Sequence, residues 1–130
     1  MKTIPNGQSK GTILVVDDEA PVRSVTAHLL RRYGYEVLTA ADGREGVETY
    51  QRHAESISLV MLDMTMPELS GDEVFREIRR IRPDARIIVT SGQIEDNPAG
   101  RFSGSGMYSY LQKPYQAAEL RQKLDAVMHS

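Results

Sequence analysis

The 130-residue sequence contains no cysteine and no tryptophan, and its charges nearly cancel. The absence of cysteine excludes disulfides and thiolate metal sites. The 16 basic and 18 acidic residues leave a net charge of −2, so the chain as a whole has no attraction to nucleic acid or to an anionic membrane. The longest apolar runs, residues 13–16 and 59–62, are far too short to cross a bilayer, and the first residues lack the apolar stretch of a signal peptide. We therefore expect one soluble, cytoplasmic domain without direct membrane contact and without a nucleic-acid partner.

Two parts of the chain differ in their pattern. Residues 1–11 are polar and aperiodic and contain Gly7, Ser9 and Gly11, which is typical of a flexible linker or of a remnant left by expression cloning. Residues 12–128 alternate short apolar runs with segments of helical periodicity about five times, and we expect them to form the folded domain. The predicted strands are residues 13–16, 35–39, 57–62, 86–89 and 107–111.

This alternation predicts an α/β domain with a parallel sheet and helices on both of its faces. In the first helix, the apolar face is predicted to be Val22, Val25, Leu29 and Tyr33. The fourth helix is the weakest element, because eight of the nineteen residues 91–109 are glycine or serine. We expect a short, shifted or mobile helix within residues 93–106.

Polar side chains follow the ends of four predicted strands. Asp17 and Asp18 follow the first, Asp63 follows the third, Thr90 ends the fourth and Lys113 follows the fifth. The carboxyl ends of parallel strands meet at one edge of a sheet, where ligands bind in such folds. Each residue alone could have a plain role, such as a helix cap, a turn hydroxyl or a solvated charge. Five such coincidences at corresponding strand ends favour a common site.

The chemistry of that site follows from its residue types. Three carboxylates brought together repel one another and are costly to bury, and a hard divalent cation such as Mg²⁺ or Mn²⁺ relieves that cost. An ammonium and a hydroxyl beside them can hold phosphoryl oxygens. A carboxylate between the metal and the lysine can act as a nucleophile and form an aspartyl phosphate.

Four motifs in this order resemble the receiver domain of two-component response regulators. They are residues 13–19 (ILVVDDE), residues 63–67 (DMTMP) with Gly71, residues 90–92 (TSG) and residues 110–114 (YLQKP). The resemblance covers residues 12–128. It implies a flavodoxin-like, doubly wound, five-stranded parallel sheet of order 2-1-3-4-5.

The resemblance also implies a role for each acidic residue of the site. Asp63 is the expected phosphoacceptor. Asp18 and Asp63 are expected to coordinate Mg²⁺ directly and Asp17 through water, and the backbone carbonyl of Thr65 is a further expected ligand. Mn²⁺ is expected to substitute for Mg²⁺.

Four further residues have roles implied by the resemblance. Lys113 and Thr90 are expected to hold phosphoryl oxygens. Thr90 and Tyr110 are expected to act as the switch that changes the surface around the fourth and fifth strands. The Lys113–Pro114 peptide bond is expected to be cis, a form that costs an X-Pro bond only about 0.5–1 kcal/mol.

The expected donor is a phosphohistidine on a histidine kinase or on a histidine phosphotransfer protein, and the downstream protein is unknown. On this view the domain is not an independent enzyme, although it catalyses its own phosphorylation and dephosphorylation. Residues 90–92 and 110–115 resemble receivers attached to hybrid histidine kinases, with a stand-alone receiver in a phosphorelay as the alternative.

Two other functions stay open from the sequence. One is a degenerate receiver that serves only as a protein-binding module. The other is a phosphatase of the haloacid-dehalogenase type, which also uses a strand-end aspartate. That class wants a second aspartate two residues on, where this chain has Thr65.

Overall fold

The computed structural model describes residues 10–66, 69–92 and 109–129. Residues 1–9 of the predicted linker and the predicted fourth helix, residues 93–106, lie outside the described residues. The strands are β1 (Thr12–Val16), β2 (Glu36–Ala40), β3 (Ile57–Asp63), β4 (Ile87–Ser91) and β5 (Ser109–Gln112). The described helices are α1 (Ala20–Arg32), α2 (Gly43–His53), α3 (Gly71–Ile81) and α4 (Ala117–Met128). None of these helices is long and apolar enough to span a membrane.

The five strands form one parallel sheet in the order β2-β1-β3-β4-β5, which confirms the predicted fold. The order in which strands are added reverses between β1 and β3, because the chain places β2 on one side of β1 and then returns to place β3 on the other side. In sheets of this kind, a crevice opens at the carboxyl ends of the two strands where the order reverses. Val16 pairs with Leu62 and Asp63 pairs with Thr90, so the three central strands end at nearly the same level.

The sheet has a buried apolar layer on each face. Alternate residues of a strand point to opposite faces, so Leu59 and Met61 of β3 join one layer while Val60 and Leu62 join the other. Helices α1 and α4 cover the first layer and α2 and α3 cover the second, and their fully buried side chains include Leu30, Leu120, Tyr50, Val74 and Phe75. Both faces of the central strands are therefore dry, and this explains their unbroken apolar runs.

The predicted apolar face of α1 is confirmed only in part. Leu29 and Tyr33 are half-buried and pack against the apolar layer on this face of the sheet, whereas Val25 is 60% exposed. The residues of α1 that the structure buries fully are Thr26, Ala27 and Leu30. Val22 and Val25 thus leave an apolar strip on α1 that the sheet does not cover, next to the residues at the strand ends.

Helix α3 begins close to the end of β3. Ser70 caps the helix by accepting from the backbone N–H of Glu73, and the Glu73 carboxylate accepts from the N–H of Ser70. A Cβ built on Gly71 would lie 2.7 Å from the Cα of Met64 and 3.0 Å from the carbonyl oxygen of Asp63. Only glycine therefore allows α3 to approach the loop that follows Asp63.

Gly71→Ala is expected to lower the free energy of unfolding by about 2 kcal/mol, since the added methyl group must displace backbone atoms. Chemical denaturation measured by circular dichroism checks this value. Gly92→Ala is the matched control, because a Cβ there meets no described atom within 4 Å. If the two variants were equally stable, the close approach of α3 would not be the reason for glycine at position 71.

Candidate functional site

The structure brings the three predicted aspartates together at the carboxyl edge of the sheet. Asp17, Asp18 and Asp63 each offer a carboxylate oxygen, and these oxygens all lie within 4.8 Å of one another. Asp17 and Asp63 are buried, being 4% and 2% exposed, while Asp18 is exposed. The β1 and β3 ends therefore form an acidic pocket that opens to solvent on the Asp18 side.

Lys113 lies in the centre of this pocket. Its ammonium nitrogen Nζ is 2.9 Å from Asp17 Oδ2, 3.0 Å from Glu19 Oε1 and 3.4 Å from Asp63 Oδ2. The lysine side chain is only 12% exposed. No local sequence pattern indicated that Glu19 belongs to the site, because its partner Lys113 is 94 residues away along the chain.

The carboxylate of Asp63 is buried at a cost. Burial raises the pKa of Asp63 from 3.8 to about 6, and the charge of Asp17 adds to the rise. The Thr65 N–H, which donates to Oδ1 at 3.1 Å, and the Lys113 ammonium lower it. Burial dominates, so a group that neutralises the charge of Asp63 is favoured at this position.

Burial and pairing act in opposite directions on Lys113. Burial lowers the pKa of the Lys113 ammonium, but hydrogen bonds to Asp17 and Glu19 and the charges of Asp63 and Asp17 outweigh burial and raise that pKa. Lys113 is therefore a fixed positive charge across the physiological range.

The residues present fit a divalent metal ion. Asp17, Asp18 and Asp63 supply only oxygen donors, which hard cations such as Mg²⁺ and Mn²⁺ prefer. The Asp17 loop is held in place because Oδ1 accepts from the Glu19 N–H at 2.9 Å and the Asp17 carbonyl accepts from Arg23 Nη1 at 2.7 Å. The excess of carboxylates over the single Lys113 ammonium leaves negative charge that a cation can neutralise.

The remaining predicted residues surround this pocket. Thr90 is buried beside Asp63 on β4, and its carbonyl accepts from the N–H of Met64 at 2.8 Å. The Lys113–Pro114 peptide bond is cis. Tyr110 on β5 packs against the apolar layer under α2 and α3, and its buried hydroxyl has no hydrogen-bond partner within the described part of the chain.

A groove of about 500 Å³ adjoins the pocket. The exposed apolar side of α1 forms one wall, through Pro21, Val22, Val25 and Leu29, and Tyr115 lies opposite. The hydroxyls of Thr26 and Tyr115 share a hydrogen bond of 2.7 Å that joins α1 to the segment after Lys113. Glu19 and Lys113 also line the groove, so it opens directly onto the charged site.

Comparison with known proteins relates this chain to one family and to several similar proteins. A family model described as the response regulator receiver domain matches residues 13–125. The chain is 34% identical over 109 residues to the sensor kinase CckA of Brucella abortus, covering 84% of this chain and 12% of the kinase. It is 34% identical over 116 residues to the chemotaxis protein CheY of Thermotoga maritima, covering 88% of this chain and 95% of that protein.

A solved structure of a response regulator protein is also similar to this chain. The response regulator protein TrrA of Thermotoga maritima, in complex with Mg²⁺ and BeF, matches with a TM-score of 0.79 at 33% identity, covering 90% of this chain and 98% of that one. The chain thus spans most of a CheY protein and only a small part of the sensor kinase.

Proposed function

Because the chain belongs to the response regulator receiver domain family, as its motifs indicated, we propose that it accepts a phosphoryl group from a phosphohistidine onto Asp63. The donor is a histidine kinase or a histidine phosphotransfer protein. The observation that carries the proposal is the position of Asp63, a buried carboxylate that contacts Lys113 and shares a pocket with Asp17 and Asp18. In this role the chain is a signalling domain and not an independent enzyme.

The transfer forms one bond and breaks one. An Asp63 carboxylate oxygen attacks phosphorus, the bond from phosphorus to the imidazole nitrogen breaks, and its electron pair stays on the departing imidazole. Lys113 Nζ, 3.4 Å from Asp63 Oδ2, is placed to bind a phosphoryl oxygen and to offset the added charge. The Thr65 N–H holds Oδ1, so the acceptor carboxylate keeps one orientation.

We assign the metal site to the same pocket. In this assignment Asp18 and Asp63 would bind Mg²⁺ directly and Asp17 through water, the Thr65 carbonyl would be a further ligand, and Mn²⁺ would substitute for Mg²⁺. The metal, when bound, supplies positive charge that offsets repulsion between the acidic pocket and the phosphoryl group. The bound Mg²⁺ and BeF of the similar TrrA structure support this assignment.

The switch is proposed to run from Thr90 to Tyr110. Thr90 lies beside Asp63, and its hydroxyl can move towards a phosphoryl group on that residue. Tyr110 pairs with Val89 on the neighbouring strand and has a buried hydroxyl without a partner among the described residues, so a second position that gives this hydroxyl a hydrogen bond would be favoured. The surface around β4 and β5 then changes for a downstream protein of unknown identity.

The donor protein is proposed to dock on the groove along α1. That groove is apolar along α1, and it ends at Lys113, so a helix of the donor lying on Val22, Val25 and Leu29 can present its histidine to Asp63. A kinase makes its phosphohistidine from ATP, and we therefore propose that the reaction takes place in the cytoplasm. The whole protein is proposed to be either a hybrid kinase with residues 12–128 as its receiver or a stand-alone phosphorelay receiver.

The proposal is tested by intact-mass measurement after incubation with acetyl phosphate. We expect one phosphoryl group per chain with Mg²⁺ and none with EDTA, because the acidic pocket repels the donor without a metal. Hydroxylamine is expected to remove the group, as it does from an acyl phosphate. A chain that binds Mg²⁺ but gains no phosphoryl group would be a protein-binding module instead.

A further inference from the structure

Glu19 occupies the N-cap position of α1 without acting as a side-chain cap. No hydrogen bond joins its carboxylate to the first turn of the helix. Instead Oε1 lies 3.0 Å from Lys113 Nζ, although 58% of the side chain is exposed to water. The Glu19 carboxylate therefore contacts Lys113 in the acidic pocket and does not cap its own helix.

The Lys113 ammonium has three acidic neighbours, and the closest two are Asp17 at 2.9 Å and Glu19 at 3.0 Å. An ammonium group has three N–H donors, and three carboxylates, those of Asp17, Glu19 and Asp63, surround Nζ. A phosphoryl oxygen on Asp63 that binds Lys113 therefore competes with Asp17 and Glu19 for the N–H groups of this ammonium. The proposed function favours an exchange of partners at this nitrogen.

The three carboxylates differ in what their release costs. The Asp17 side chain is 5% exposed, and losing its cation would leave a buried, unpaired charge. Asp63 carries the incoming phosphoryl group and stays within the same cluster. Glu19 returns to water at little cost, because exposed ion pairs contribute only about 0–1 kcal/mol.

We propose that Glu19 is an exchangeable partner of Lys113, which holds the ammonium in place before phosphorylation and yields its hydrogen bond to a phosphoryl oxygen afterwards. Glu19 is thus a positioning residue that slows phosphorylation from small anionic donors. This inference rests on the proposed function of Asp63.

The test compares three variants in their rate of phosphorylation by acetyl phosphate at saturating Mg²⁺. Glu19→Gln is expected to react roughly three- to fivefold faster, because its neutral amide oxygen holds Lys113 more weakly and one negative charge is lost. Glu19→Asp keeps the charge but is one methylene shorter, and it is expected to be faster as well. Glu55→Gln removes one exposed charge before β3, at the opposite edge of the sheet, and is expected to match the wild type.

The exchange itself is tested by a crystal structure with Mg²⁺ and beryllium fluoride. We expect Lys113 to bind the fluoride and the Glu19 carboxylate to lie beyond about 4 Å from Nζ. The inference is overturned if Glu19 keeps its bond in that complex, or if Glu19→Gln reacts no faster than the wild type. A wild-type chain that gains no phosphoryl group overturns the proposed function, and the inference with it.

Discussion

Asp63→Asn is expected to abolish phosphoryl uptake and, in the absence of metal, to make the folded protein more stable. The first effect follows because an amide cannot form the acyl phosphate that the carboxylate forms. The second follows because the folded state holds the Asp63 carboxylate at a pKa of about 6 instead of 3.8, which means that its charge is unfavourable there. Unfolding would relieve that charge, and asparagine never carries it.

The stability gain depends on pH with a definite sign. Between about pH 4 and pH 6 the folded wild type binds more protons at Asp63 than the unfolded chain does, so its stability falls as pH rises. Above that pH range the folded protein carries the full cost of the buried Asp63 charge. Below that range the carboxyl is neutral in both the folded and the unfolded state. We expect Asp63→Asn to be more stable by roughly 2–3 kcal/mol at pH 7–8 and to lose this advantage near pH 4.

The charged neighbours of Asp63 set the size of this effect. Asp17 adds to the cost of the Asp63 charge and Lys113 reduces it, so the measurement is made in EDTA at constant ionic strength. Urea denaturation at several pH values gives the stability, and mass spectrometry gives the phosphoryl uptake. Asp84→Asn is the control, since Asp84 is 79% exposed in the segment between α3 and β4.

Measuring both phosphoryl uptake and stability distinguishes loss of the acceptor group from loss of the fold. An Asp63→Asn chain that failed to react because it was unfolded would be less stable, not more. If the variant still gained a phosphoryl group, Asp63 would not be the acceptor. If it were less stable than the wild type at pH 8, the buried charge of Asp63 would not be a cost to the fold.

Lys113→Met is expected to be the most destabilising change at the site. It removes the ammonium that contacts Asp17, Glu19 and Asp63 and leaves two buried carboxylates without their cation. Breaking a buried pair from one side costs roughly 3 kcal/mol or more. For a chain of this length that corresponds to a fall of about 10 °C in Tm.

Calorimetry of Lys113→Met at pH 8 checks this loss, with Lys123→Met near the middle of α4 as the control for removing one lysine. In the Lys113→Met background, Asp63→Asn is expected to stabilise the protein by more than the roughly 2–3 kcal/mol that it gains in the wild type, because no ammonium then offsets the charge of Asp63. Additive effects in the double variant would show that Lys113 and Asp63 do not interact. Phosphoryl uptake is expected to fall by at least tenfold in Lys113→Met, since no ammonium remains to hold the phosphoryl oxygen.

Much of the site could be predicted because it depends on strand ends. An apolar run such as residues 57–62 is long enough to mark a strand by itself, and parallel strands place their carboxyl ends at one edge. The meeting of Asp17, Asp18, Asp63 and Lys113 therefore followed from local patterns and a topological rule. The order β2-β1-β3-β4-β5 was implied by the motifs and is what the structure contains.

The tertiary structure alone decided which side of α1 faces the sheet. Local periodicity shows that Val22, Val25 and Leu29 share a side, but the rotation of the helix depends on its neighbours. Leu30 packs into the layer with α4, and Thr26 bonds Tyr115, so the valine stripe turns outward and becomes the wall of a groove. An apolar stripe has the same sequence pattern whether it is buried in the core or left for a partner.

The same limit applies to Glu19. Composition and short runs of residues were enough to predict a parallel α/β sheet, the edge that carries the chemistry and the absence of any thiol from that edge. Only the tertiary structure shows that Glu19, which precedes α1, accepts a hydrogen bond from Lys113, 94 residues away. A buried ammonium is stabilised by carboxylates that lie close to it. Which carboxylates lie close depends on three-dimensional distance, and no local sequence pattern contains that information.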